Sequence, residues 1–223
     1  MRRRIKWGNV LLLLLPLAVI IWIIYRAIWV IGIIPHDMHD GSEFGYETYI
    51  SQVDKDGDGI DDQTDILANV RDYVATKPVY MSKYYSGGYP DDEYGVCTDV
   101  VAQGLLGAGY DLRELVDLDR RTNPEGYDSH EKPDKNIDFR RVRNLLVYFR
   151  HNAIELTTDI YDCAEWQGGD IVVFEGHIGV VSDKRNSKGI AFVIHNGSEK
   201  QLSYEQDILE LRKNKIVAHF RVS

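Results

Sequence analysis

Only two cysteines, Cys97 and Cys163, stand among 223 residues. That is too few for a disulfide scaffold or a structural zinc site, and it leaves a catalytic thiol or one lone bridge. Basic residues are scarce beyond the first stretch. Residues 1–35 hold Arg2, Arg3, Arg4, Lys6 and Arg26 and no acid, so the other 21 of the 26 basic residues face all 35 acidic ones. Residues 36–223 are therefore an acidic body, whose field repels phosphates and excludes nucleic acid as a partner. Internal repeats and low-complexity tracts are missing too, and with 44% hydrophobic and 27% charged residues the chain is not disordered in the main.

What is present first is a long apolar run. From Val10 to Tyr25 every residue is apolar or aromatic, and after Arg26 the character resumes through Ile34. A bilayer core needs about 20 apolar helical residues. Residues 9–34 are read as a transmembrane anchor, with Trp22, Tyr25 and Trp29 at the interface. Residues 1–8 make a basic tail that the positive-inside rule keeps in the cytoplasm. The domain that follows is expected outside the cytoplasm. A cleaved signal peptide is the alternative, against which stands the lack of a small-x-small site after the apolar core. Residues 35–53 read as a juxtamembrane linker with one short helix from Tyr46 to Val53, and His36 and His39 within it as solvated.

Residues 54–65 read Asp-Lys-Asp-Gly-Asp-Gly-Ile-Asp-Asp-Gln-Thr-Asp. Short carboxylates at Asp54, Asp56 and Asp58 converge on one point, Gly59 permits the sharp turn, Ile60 offers its carbonyl and Asp65 closes the shell. The pattern resembles the calcium loop of EF-hand and dockerin-like proteins, with Asp65 where Glu is usual. It implies a structural calcium ion. A solvated acidic turn is the alternative.

Residues 65–75 have helical spacing, a new helix opens at Cys97, a short one follows from Leu112, and another runs from Ile137 to Asn152. Arg140, Arg141, Arg143 and Arg150 along that last helix read as a solvated face. The period then changes. Strands are expected at 170–174, 177–182, 190–195 and 216–222, separated by glycine turns. Helices first and an antiparallel sheet after them give an α+β class.

A cysteine opening an early helix and histidines on two later strands are what a cysteine nucleophile needs. The helix N-terminus favours the thiolate, and an imidazole takes the proton. His177 opens one strand and His195 closes the next, so hairpin geometry sets them side by side. By composition alone, a buried cysteine and two structural histidines remain as good a reading.

Five motifs add to this. Gly95-Val96-Cys97-Thr98-Asp99-Val100-Val101, the segment Asn136 to Leu145, Trp166-Gln167-x-Gly169-Asp170-Ile171-Val172, His177-Ile178-Gly179-Val180-Val181-Ser182-Asp183 and Val193-Ile194-His195-Asn196 resemble, in order, those of domain-of-unknown-function family 1287. That family in turn is similar to NlpC-type cell-wall peptidases of papain-like fold. The resemblance implies Cys97 as nucleophile, His177 as base, His195 as the group that orients it and Tyr85 as an aid to the oxyanion. Asn196 is a rival orienting residue, and Asp170 is read as fixing a turn. Phe139, Arg143 and Gly168 depart from the family pattern. Cys163 reads as a spectator, with a Cys97–Cys163 disulfide as the alternative. The whole implies a membrane-anchored cysteine peptidase or amidase over residues 66–223, acting on peptidoglycan or a similar wall polymer. A calcium-dependent wall-binding module and a transacylase are the alternatives.

Overall fold

In the computed structural model, which describes residues 7–30, 37–212 and 214–222, the apolar run folds as α1 (Trp7–Val30). This helix is a unit by itself, and Asp37–Ser223 form a second. Side chains of α1 are described from 14 to 28 only. Among the described residues no helix is long and apolar enough to cross a membrane. Residues 1–6 of the expected tail and 31–34 of the expected anchor lie outside the described residues.

In the second unit the segment read as a linker lies on the domain. β1 (His39–Asp40) pairs antiparallel with a strand of the main sheet, and Tyr49 N–H donates to Gln167 Oε1 at 3.1 Å. The short helix expected from Tyr46 to Val53 does not form. A single 3₁₀ turn at Gly41–Phe44 is the helical part of this segment. α2 (Asp62–Ala75) is capped by Asp61, whose side chain accepts from Thr64 N–H. Two short parallel strands, β2 (Val79–Tyr80) and β3 (Tyr94–Gly95), close the Tyr-rich loop between them and deliver the chain to α3 (Cys97–Gly107).

α3 crosses α2 closely. A Cβ at Gly104 would come within 2.2 Å of Val70 Cγ2, so only glycine allows this approach. Next come α4 (Leu112–Thr122), α5 (Lys135–Asp138) and α6 (Val142–Asn152). The helix expected over 137–152 is thus broken at 139–141. Its cause is electrostatic: Asp138 and Arg140 turn inward, Asp138 to Arg120 at 2.8 Å and Arg140 to Asp99 at 2.6 Å. Arg140, read as part of a solvated face, is buried, whereas Arg143 and Arg150 are exposed.

After β4 (Ile154–Glu155) come β5 (Ile171–Phe174), β6 (His177–Arg185), β7 (Ala191–Ile194), β8 (Glu205–Gln206) and β9 (Ile216–Arg221). Their order in the sheet is β4-β9-β5-β6-β7-β8, all antiparallel, with β1 added to β6. Period-two alternation sends Ile171, Val173, Ile178 and Val180 into one core with Val100, Val101 and Leu105 of α3. Val172, Phe174, Val181 and Val193 enter a second core with Trp166 and Cys163. Both faces of the central strands are covered, which is why β5 is apolar throughout. The molecule is a mixed helix-and-sheet fold with an antiparallel sheet, as its period change implied.

Candidate active site

Cys97 is the first residue of α3, directly after the N-cap Val96. The start of the helix is anchored from inside: Asp99, wholly buried, accepts Val96 N–H at 2.8 Å and holds Arg140 with both oxygens. α3 packs against β6. Consequently the N–H groups of Ile178 and Thr98 are directed at the Cys97 sulfur and favour its thiolate. Burial outweighs them and pushes the thiol up from its ordinary value. The helix start favours the thiolate as the sequence implied, but at this site burial is the larger influence. Both cysteines are free, and Cys163 lies buried with its thiol toward Ile160 O at 3.4 Å. The alternative disulfide is not formed.

His177 opens β6 across the hairpin from Phe174, and His195 follows the last residue of β7. Hairpin register brings the two rings together edge to face, Nε2 of His177 lying 3.1 Å from Nδ1 of His195. Gly179 makes this approach possible, since a Cβ there would stand 3.2 Å from His195 Cβ and 2.6 Å from Val193 Cγ1. His195 Nε2 lies 3.0 Å from Gln206 Oε1 on β8. A carbonyl oxygen only accepts, so assigning protons along the network puts one on His195 Nε2. His195 Nδ1 is then an acceptor, and His177 donates through Nε2. The basic lone pair is left at His177 Nδ1, the atom that can take a proton from a thiol.

Both rings are held neutral. Burial, helped by the neighbouring ring and Arg212, lowers His177 to about 2. Burial and Arg212 lower His195 to about 3. At rest the thiol of α3 is therefore protonated and the imidazole pair neutral.

The other expected residues fall differently. Asn196 donates to Pro78 O and Gly95 O at 2.8 and 3.0 Å, tying down the segment that leads to Cys97; His195 is the group bonded to His177. Tyr85 donates its hydroxyl to Asp92 at 2.7 Å and receives the Arg140 guanidinium over its ring. Asp170 accepts from Gln167 N–H, Gln63 and Arg221 and meets His219, a buried knot that pins the turn before β5. Gln206 and Arg212 carried no signal in sequence, since neither lies in a motif. The Asp99–Arg140 pair did carry one, as two opposite charges within the first two motifs.

Asp54, Asp56 and Asp58 present carboxylate oxygens within 4.8 Å of one another, all exposed. Asp54 accepts from Gly57 and Gly59 N–H, and Asp58 from Ile60 N–H, which holds the loop in its turn. Asp65 stands apart from that cluster on α2, bonded by Asn69. Burial first, then repulsion from Asp58 and Asp56, raises its carboxyl. Uncompensated negative charge of this kind fits a divalent cation.

A family model described as Domain of unknown function (DUF1287) matches residues 67–222. The chain belongs to the DUF1287 family. Uncharacterized protein YijF of Escherichia coli (strain K12) is 38% identical over 154 residues, covering 65% of this chain and 72% of that protein. No solved structure matches. The DUF1287 match takes in Cys97, His177, His195, Gln206 and Arg212, whereas the aspartate loop precedes it.

Proposed function

We propose that this DUF1287 protein is a cysteine hydrolase that cuts an amide bond, with the stem peptides of peptidoglycan as its substrate class. The observation that carries the reading is the His177–His195–Gln206 chain, which leaves the His177 Nδ1 lone pair for a proton at the start of β6, the strand on which the Cys97 helix packs. The likeness to NlpC-type peptidases and their papain-like fold belongs to the same proposal, supported by a cysteine-bearing helix packed on a histidine-bearing strand.

In this reading the Cys97 thiol gives its proton to His177 Nδ1 as the sulfur attacks the amide carbon. His195 and Gln206 keep the imidazole in the tautomer that can accept it. Cys97 N–H, at the helix start where no intrahelical acceptor exists, would donate to the oxyanion. The C–N bond breaks as His177 protonates the leaving amine, and water then hydrolyses the thioester with the same base. Because the resting pair is neutral, deprotonation accompanies attack.

The apolar run of residues 9–34 and its basic flank support a membrane tether with the domain outside the cytoplasm. Asp54, Asp56 and Asp58, with the Ile60 carbonyl, would hold calcium as a structural ion, and Asp65, bonded by Asn69, would add its charge from α2. A second reading, a wall-binding module without turnover, is favoured by the burial of the Cys97 thiol. Incubating the protein with purified peptidoglycan and weighing the fragments decides between them. New amine ends that vanish with Cys97→Ala are expected, and binding without any cleavage would establish the module instead.

A further inference from the structure

The buried arginines Arg120, Arg140 and Arg221 each meet an aspartate, and Arg185, whose Nε is also without an acceptor, spends its terminal nitrogens on the carbonyls of Cys163 and Trp166. Arg212 does neither. Its Nε is shut off from solvent with no acceptor, and no carboxylate of the described residues pairs with its guanidinium. The side chain lies half-buried over the Phe174 ring, 5.2 Å from the centroid, and that ring is 6.0 Å from the ring of His177. Its charge reaches Cys97, His177 and His195.

Activation of the thiol does not account for it. A positive charge favours the Cys97 thiolate but disfavours the His177 imidazolium formed in the same proton transfer, so its effects on the two partners oppose. What the guanidinium lacks is an anion from outside. Arg212 also lines an open groove of about 370 Å³ with Thr158, Asp159, Asn214 and Lys215, through which an extended peptide can reach it.

We propose that Arg212 is a binding residue for a free carboxylate that the substrate carries near its scissile amide. This rests on the hydrolase reading for the bond that is cut, but not for the anion site itself. Guanidinium and carboxylate pair through two parallel N–H···O bonds, which fixes orientation as well as charge.

The test compares alkylation of Cys97 by iodoacetate and iodoacetamide in the full chain, each rate divided by that of free cysteine. Both reagents react with the same thiolate, so the thiolate fraction cancels from the ratio and only recognition of the carboxylate remains. We expect a ratio of about tenfold or more in favour of iodoacetate, as for a hydrogen bond to a charged group. Arg212→Gln should bring the ratio to unity or below, and Arg212→Lys should keep part of it. High salt should erode it in the unmodified chain, which covers the case that the glutamine variant does not fold. A ratio near unity in the folded, unmodified chain overturns the proposal even if wall peptides are cut. A high ratio that survives Arg212→Gln overturns it as well. A high ratio lost in Arg212→Gln, with no peptide cut, upholds the carboxylate site and fells the hydrolase reading alone.

Discussion

At the scale of the residue, the chemistry turns on which proton sits where. A preformed thiolate–imidazolium pair would alkylate at a rate that levels off below neutral pH. Here burial raises the thiol and lowers both rings. The rate at Cys97 should therefore climb about tenfold per pH unit from about pH 6 to 8, with no plateau below the usual thiol value. A plateau in that range would show that the ion pair exists at rest. For turnover, Cys97→Ala and His177→Ala should each abolish cleavage, whereas His195→Ala should leave a residue of activity. It orients the base without entering the bond-making step. Equal losses at all three positions, measured as kcat on peptidoglycan fragments, would give His195 a larger part. Cys97, His177 and His195 were legible in sequence because each opens or closes an element. Gln206 was not, since it reaches His195 from a two-residue strand with no pattern of its own.

Elements show where local pattern and tertiary demand part. β5, β6, β7 and β9 lie where alternation and glycine turns put them, because strands covered on both faces leave an unmistakable apolar record. The helix expected over 137–152 failed for the opposite reason. Its local propensity favours continuity, but Asp138 and Arg140 have buried partners on other elements, and meeting both costs the helix its middle turn. Breaking such a pair by removing one partner costs about 3–5 kcal/mol, more than the backbone bonds of one turn contribute. The loop of residues 54–65 belongs to this scale as well. Calcium should raise the thermal midpoint of the protein, and Asp54→Ala with Asp58→Ala should remove the gain. Identical midpoints with calcium and with chelator would make the loop an ordinary acidic turn.

Across the whole molecule, two histidines kept neutral couple stability to pH. In the unfolded chain each titrates near its ordinary value, while in the folded protein His177 and His195 resist protonation down to about 2 and 3. Their contribution is fully present above about pH 6.5 and is lost as pH falls from there toward the folded values, because the unfolded state binds the protons. Stability from urea unfolding should be flat between about pH 7 and 8. It should then fall by roughly 1–3 kcal/mol per pH unit below 6, with a shallower slope in His195→Gln. Equal stability at pH 5 and 7 would mean that the rings take up protons in the folded state.

By itself the sequence determined the class of fold, the strands, the helix that begins at Cys97 and the aspartate cluster, because these are written in short-range periods and in turn residues. It also carried the family, through five motifs in order. Only the tertiary structure decided that burial favours the protonated thiol, that Asn196 clamps backbone while His195 meets His177, that Arg140 is buried, and that Arg212 lies over Phe174 with no carboxylate among the described residues. Each of these depends on burial and on partners far away in the chain, such as Asp99 with Arg140. Solvation and long-range pairing set charge states, and neither is encoded in local spacing.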